Sequence, residues 1–153
     1  MILFQMPTPK FKKNQVGQVN VSITVTNHID QILAERGFIT ADEVRTVTLD
    51  NVLVDTDATM LCLPTAIVEQ LGLPVKGEAI VNTAAGKRTV RVLKEANLLI
   101  GDRRSTFDCL ELTKIDQPLL GVIPMESLGL EPDLQNQTLR ALPATEAETY
   151  LYA

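Results

Sequence analysis

Two carboxylates two residues apart close an apolar strand in the stretch VDTDATMLCLP, Val54 to Pro64. Residues of this type at this spacing suit three outcomes. The pair could hold a metal ion, one acid could work on a water molecule while its neighbour crowds it, or both could sit in a solvated turn. Other chemistry-bearing residues are sparse. His28 is the only histidine, so a Ser/His/Asp triad has one possible base, and no nucleophile elbow lies near it; an exposed turn histidine is the plainer reading. Cys62 stands among Met60, Leu61 and Leu63, and Cys109 lies in a strand beside Phe107. Both read as core packing, and two cysteines form neither a disulfide framework nor a zinc cluster.

The elements that must position the acids are mostly strands. VNVSITVT alternates strictly, with Val19, Val21, Ile23 and Val25 on one face, the pattern of a half-buried strand. DQILAERG reads as a helix stopped at Gly37, and TADE, Thr40 to Glu43, has the spacing of a capping box. TVTLDNVLV is a strand leading into Asp55. TAIVEQLGL, after Pro64, is a two-turn helix closed by Gly72. EAIVNT and KRTVRVL form a hairpin with a small tip at Ala84, Ala85 and Gly86. NLLIG and TFDCLEL form a second, turning through Asp102, Arg103 and Arg104. QPLLGVIPMESLGLEP, a terminal strand TLRAL that needs a pairing partner from outside its own chain, and a polar tail complete the sequence.

Composition bounds the possibilities. A chain of 153 residues is about one domain with a real core. Fourteen basic residues against 19 acidic ones, net charge −5, argue against a nucleic-acid surface, and the lone basic run KFKK reads as a solvated arm. The opening MILFQMPTPK has too short an apolar run for a membrane span or secretory signal. A cytoplasmic protein with no membrane or nucleic-acid partner and no cofactor is therefore expected.

The chain also echoes itself. LVD…CLP…LGLP recurs as LLG…VIP…LGLEP: an apolar strand meets a special residue, Asp55 or Gly121, and a Leu/Ile-Pro step opens a helix ending in Leu-Gly-Leu. The spacings differ, so the expected duplication gives halves alike in shape and not identical.

In the order of these features the sequence resembles the retropepsin-like aspartic proteases. The carriers are the Asp loop, the helix, the hairpin, and then apolar-apolar-Gly before a second helix; ILAERGF…EVR and LLGVIPMESLGL look like small bacterial members. The resemblance covers roughly residues 16–143, leaving an N-terminal arm (1–15) and a polar tail (144–153). It implies an all-β fold, a small closed barrel with a pseudo-two-fold internal repeat and one or two short helices, forming one half of a C2 homodimer. It further implies an aspartic endopeptidase acting on peptides or proteins, in which Asp55 is catalytic. Thr56 braces the loop across the dimer, with Asp57 and Ala58 completing it. Ala84 to Gly86 form a flap tip, and Gly121 lets the second strand pass close behind the site. Peptide hydrolysis by carboxylates needs one to deprotonate water and another to protonate the carbonyl oxygen. One chain has one such loop, so a second copy must supply the second acid.

Asp57 departs from the family, which has glycine there. A side chain at that position adds bulk and, through a dimer, two further negative charges beside the dyad, which favours low-pH activity. Two alternatives follow. The chain could be a pseudo-protease that keeps a dimeric peptide-binding cleft. Alternatively, VLVDTDATML fits the first motif of haloacid-dehalogenase-type phosphatases, with Asp55 as nucleophile, Asp57 as acid–base, Mg²⁺ between them and Asp102 and Asp108 as the later acidic motif. That fold needs helices alternating with parallel strands, which this pattern lacks.

Overall fold

The computed structural model describes residues 18–83 and 86–143. Alternation produces the first strand as expected. In β1 (Asn20–Asn27) Ile23 and Val25 point into the core while Asn20 and Ser22 face outward. β1 runs antiparallel to β2 (Thr46–Val54), placing Ile23 opposite Leu49 and Val25 opposite Val47. The link between them holds α1 (His28–Glu35), opened by Asn27, whose side chain accepts a hydrogen bond from the Asp30 N–H. A 3₁₀ turn (Ala41–Glu43) follows, and there the Thr40 N–H donates to Glu43 Oε1 at 2.8 Å, as the capping-box spacing requires. His28 is not a loop residue. It is the first residue of α1, half-buried, with Nδ1 3.2 Å from Gln31 Oε1.

Asp30 is the buried acid of α1, and Arg45 meets it with two prongs, Nε to Oδ2 at 2.8 Å and Nη2 to Oδ1 at 3.0 Å. The Arg45 guanidinium therefore holds the Asp30 carboxyl below its usual range although burial pushes the other way. Asn27 Nδ2 donates to the Leu71 carbonyl at 2.9 Å, tying this cluster to α2 (Thr65–Leu71). Gly72 ends α2 in the left-handed region at φ +61°.

The remaining strands are β3 (Leu61–Pro64), β4 (Val75–Thr83), β5 (Gly86–Ile100), β6 (Arg103–Leu112), β7 (Leu119–Leu120), β8 (Leu130–Asp133) and β9 (Thr138–Ala141), with α3 (Val122–Ser127) after β7. Seven pair in the order β1-β2-β7-β3-β6-β5-β4, and a further β1–β5 pairing rolls the sheet nearly into a closed ring. β4 hangs outside that ring as the free arm of the β4–β5 hairpin. The fold is the all-β small barrel that the resemblance implied. Leu61, Leu63, Leu93, Leu98 and Leu120, all under 2% exposed, fill its interior with Ile23 and Val25. With no tryptophan in the chain, branched aliphatics build the core.

Four local expectations change. KRTVRVL and NLLIG are not separate strands; they are the two ends of β5, which bulges between Leu93 and Ala96 with Glu95 at φ +69°. Arg103 and Arg104 belong to β6 and pair with Ile100 and Leu99, so the turn contains only Gly101 and Asp102. The second-half helix opens at Val122 rather than at Pro124. Proline is harmless in a first turn, where its missing N–H would have had no helical partner. TLRAL, expected to need an outside partner, pairs with β8 in its own chain, Leu139 opposite Pro132. The phosphatase topology is overturned as well: among the described residues parallel pairing is confined to β2–β7 and β3–β6, and the sheet is otherwise antiparallel.

Candidate active site

The Asp loop lies where two short strands end side by side. Leu53-Val54 of β2 run parallel to Leu119-Leu120 of β7, so Asp55 and Gly121 leave the sheet at the same level. The internal echo of the sequence is thus a spatial pairing. The Asp55 N–H donates to the Leu120 carbonyl at 3.0 Å. The Ala58 N–H returns to the Asp55 carbonyl at 3.0 Å, closing a turn with Thr56 and Asp57 at its centre. The Asp57 N–H donates to Asp55 Oδ1 at 2.9 Å, which fixes one oxygen of that carboxylate. From the other side, the Val122 and Ile123 N–H groups donate to the Ala58 and Thr59 carbonyls at 3.0 and 2.9 Å. The loop is held by backbone, with little help from side chains.

Gly121 sits against this loop. A Cβ built there would lie 2.6 Å from the Ala58 and Met60 carbonyl oxygens and 2.7 Å from the Met60 nitrogen, far inside contact distance. Its φ of −93° is ordinary, so space and not backbone strain demands glycine. Ala58 is buried, while Thr56 and Asp57 are exposed. Position 57 has no left-handed φ, so the aspartate there costs the turn no strain. Asp102 and Asp108 are not brought to Asp55 and Asp57 by this fold: Asp102 sits in the β5–β6 turn, and Asp108 pairs with Lys76 of β4 at 2.5 Å.

The aspartyl protease family matches residues 40–123, more than half of the chain and the part that contains both the Asp loop and Gly121. The chain belongs to the aspartyl protease family. Among curated proteins none matches it. In this family member, the β4–β5 hairpin closes with Thr83 opposite Gly86, whose φ is +110°. The Thr83 hydroxyl donates to the Gly86 carbonyl at 2.7 Å. Ala84 and Ala85, expected at the tip, lie outside the described residues. No helix among the described residues is long and apolar enough to cross a membrane.

Two cavities flank the hairpin. One, of about 390 Å³, is walled by Asp57, Thr59 and Met60 of the Asp loop on one side and by Ile80, Val81 and Asn82 of β4 on the other. The second, about 590 Å³, is lined by Val90, Leu112, Ile115 and Leu119 together with Arg88 and Lys114. In its wall the Arg91 guanidinium, 2.5 Å from Glu111 Oε1, holds the buried Glu111 carboxyl below its usual range. The Thr65 hydroxyl contributes in the same direction without making a full hydrogen bond. Sequence reading passed over Thr59, Met60 and Ile80. Ile80 is 70% exposed on its strand, a mark of the groove that the fold reveals and the residue order does not. Cys62, under the same loop, is buried, and its thiol is pushed up to about 12 by desolvation. It is packing, not a nucleophile.

Proposed function

We propose that this chain is an aspartic endopeptidase that works as a C2 homodimer, with Asp55 of each copy forming the water-activating dyad. The observation that carries the reading is the pairing of Asp55 with Gly121. Two parallel strands end side by side, β2 at Asp55 and β7 at Gly121, and the second end holds glycine and not an acid. A single chain therefore supplies one carboxylate where the chemistry needs two, and a two-fold axis through the loop sets the same residue against itself. Two carboxyls in contact share one proton, because both cannot ionise. The ionised one takes a proton from water, and the protonated one donates to the peptide carbonyl oxygen. The Asp57 N–H on Asp55 Oδ1 supports this reading by orienting the carboxylate before substrate arrives. Thr56, exposed on the turn, braces the partner loop; Gly86 ends the flap that covers the peptide, and Gly121 admits the close approach of the second strand.

The test is cleavage of a mixed peptide library by the wild-type protein and by Asp55→Asn between about pH 3 and 7, spanning the carboxyl range. Sedimentation measures assembly in parallel. Turnover by wild type, its loss in Asp55→Asn and a dimer in both are expected. A strict monomer at micromolar concentration, or unchanged turnover in Asp55→Asn, refutes the proposal. Peptide binding by a dimer with no turnover at any pH would make the chain a peptide-binding module, a reading that Asp57 in the glycine position favours.

A further inference from the structure

Asp57 stands where its family has glycine, yet the loop around it is intact. Its N–H serves Asp55, its backbone is unstrained and its side chain is exposed. Among the described residues it has no ion-pair partner. Among the described residues it is also the one charged residue lining the cavity of about 390 Å³ between the Asp loop and β4. The other walls are of two kinds: Met60, Ile80 and Val81 are apolar, while Thr59 and Asn82 offer hydrogen-bonding groups.

We infer that Asp57 is a specificity residue, its carboxylate receiving the lysine or arginine side chain of a peptide substrate that lies in this groove. The inference rests on the endopeptidase reading and names the substrate class for the same site. The match is one of shape and charge together. A basic side chain has an aliphatic stem and a cationic head, so the stem lies along Met60, Ile80 and Val81 while the head reaches the carboxylate. Arginine adds donors that Thr59 and Asn82 can take up. An acidic side chain in the same place meets like charge with no cation in the lining to offset it. The substitution that crowds neutral peptides thus selects cationic ones.

The experiment measures kcat/KM for peptides identical except for Lys, Arg, Gln or Glu at a single position, scanned across the sites flanking the scissile bond. Wild type, Asp57→Asn and Asp57→Lys are compared, with melting curves to show that each is folded. At one position wild type should favour the cationic peptide over Gln by about fivefold, the scale of one partly exposed charge pair. Asp57→Asn should abolish that preference and Asp57→Lys should turn it toward Glu; raised salt should weaken both. Indifference of wild type at every position, or a preference that survives Asp57→Asn, overturns the inference. Absence of cleavage in all cases refutes the endopeptidase reading, and dissociation constants then decide this one. The same peptides, fluorescently labelled, are titrated into Asp55→Asn and into Asp55→Asn/Asp57→Asn. Tighter binding of cationic peptides that is lost in the double variant upholds a cationic-ligand site. Equal binding, or none, overturns it.

Discussion

Replacing Gly121 with alanine should unhinge the Asp loop. The new methyl meets the Ala58 and Met60 carbonyls at 2.6 Å, and the nearest atoms are backbone, which cannot swing aside as a side-chain tip would. Ordinary contact begins near 3.4 Å, so the two segments must part by about 0.8 Å. The Val122–Ala58 and Ile123–Thr59 hydrogen bonds, now 3.0 and 2.9 Å, then stretch beyond bonding range. Overpacking costs about 1–3 kcal/mol and each of the two weakened bonds about 1 kcal/mol, so a loss of about 4 kcal/mol is expected. For a chain of this size that lowers the Tm by about 10 °C. Thermal unfolding followed by circular dichroism reads it, with Gly77→Ala as the control. Gly77 lies in β4 with nothing within 4 Å of its would-be Cβ and no left-handed φ, so its Tm should stay within about 2 °C. A Gly121→Ala protein that melts with wild type would refute the argument that space behind the loop requires glycine.

Three further outcomes are expected. Gly72→Ala combines a left-handed φ of +61° with a Cβ 2.0 Å from Arg45 Nη1, so it costs about 2 kcal/mol and also displaces Arg45 from Asp30. In an Arg45→Ala background the loss should shrink, which a double-mutant cycle by urea unfolding measures. The Asp30 carboxyl, held low by Arg45, lends stability that is present above its ordinary value of 3.8 and is lost as pH falls through its lower folded value. Acid unfolding should therefore steepen below about pH 4, and Asp30→Asn, less stable at neutral pH, should flatten that limb; an unchanged limb counts against the ion pair. Both thiols, pushed up to about 12 by burial, should resist a thiol-disulfide reagent at about pH 8 in the folded protein and react once it is unfolded. Rapid labelling of either in the native state would contradict their burial.

Much of this was legible in the residues because the signals were local. Strict alternation marked β1, Thr40 and Glu43 marked the capping turn, and Gly72 marked the end of α2, each through a rule that needs only neighbours. What escaped depended on distant partners. β5 looked like two strands because Lys94-Glu95 interrupts the apolar pattern, yet a bulge absorbs the break and β1 and β6 carry the strand onward. TLRAL gave no hint that its partner was β8, since pairing is a property of the folded hairpin. At the site, the Asp loop and the glycine opposite it were readable as a repeated phrase. The groove was not, because Met60 and Ile80 meet only after β4 folds over the loop.

The bulged strand β5 has a consequence for how the molecule opens. Ala96 to Leu99 are flanked on both sides, by β1 and by β6, whereas Lys87 to Arg91 bond, among the described residues, to β4 alone. One continuous strand is thus a wall at one end and a cantilever at the other, with its fulcrum near Lys94, whose N–H is anchored to the Pro74 carbonyl at 3.0 Å. Amide exchange should rise steeply across those few residues, so that the arm over the Asp loop breathes while the barrel that carries it stays shut.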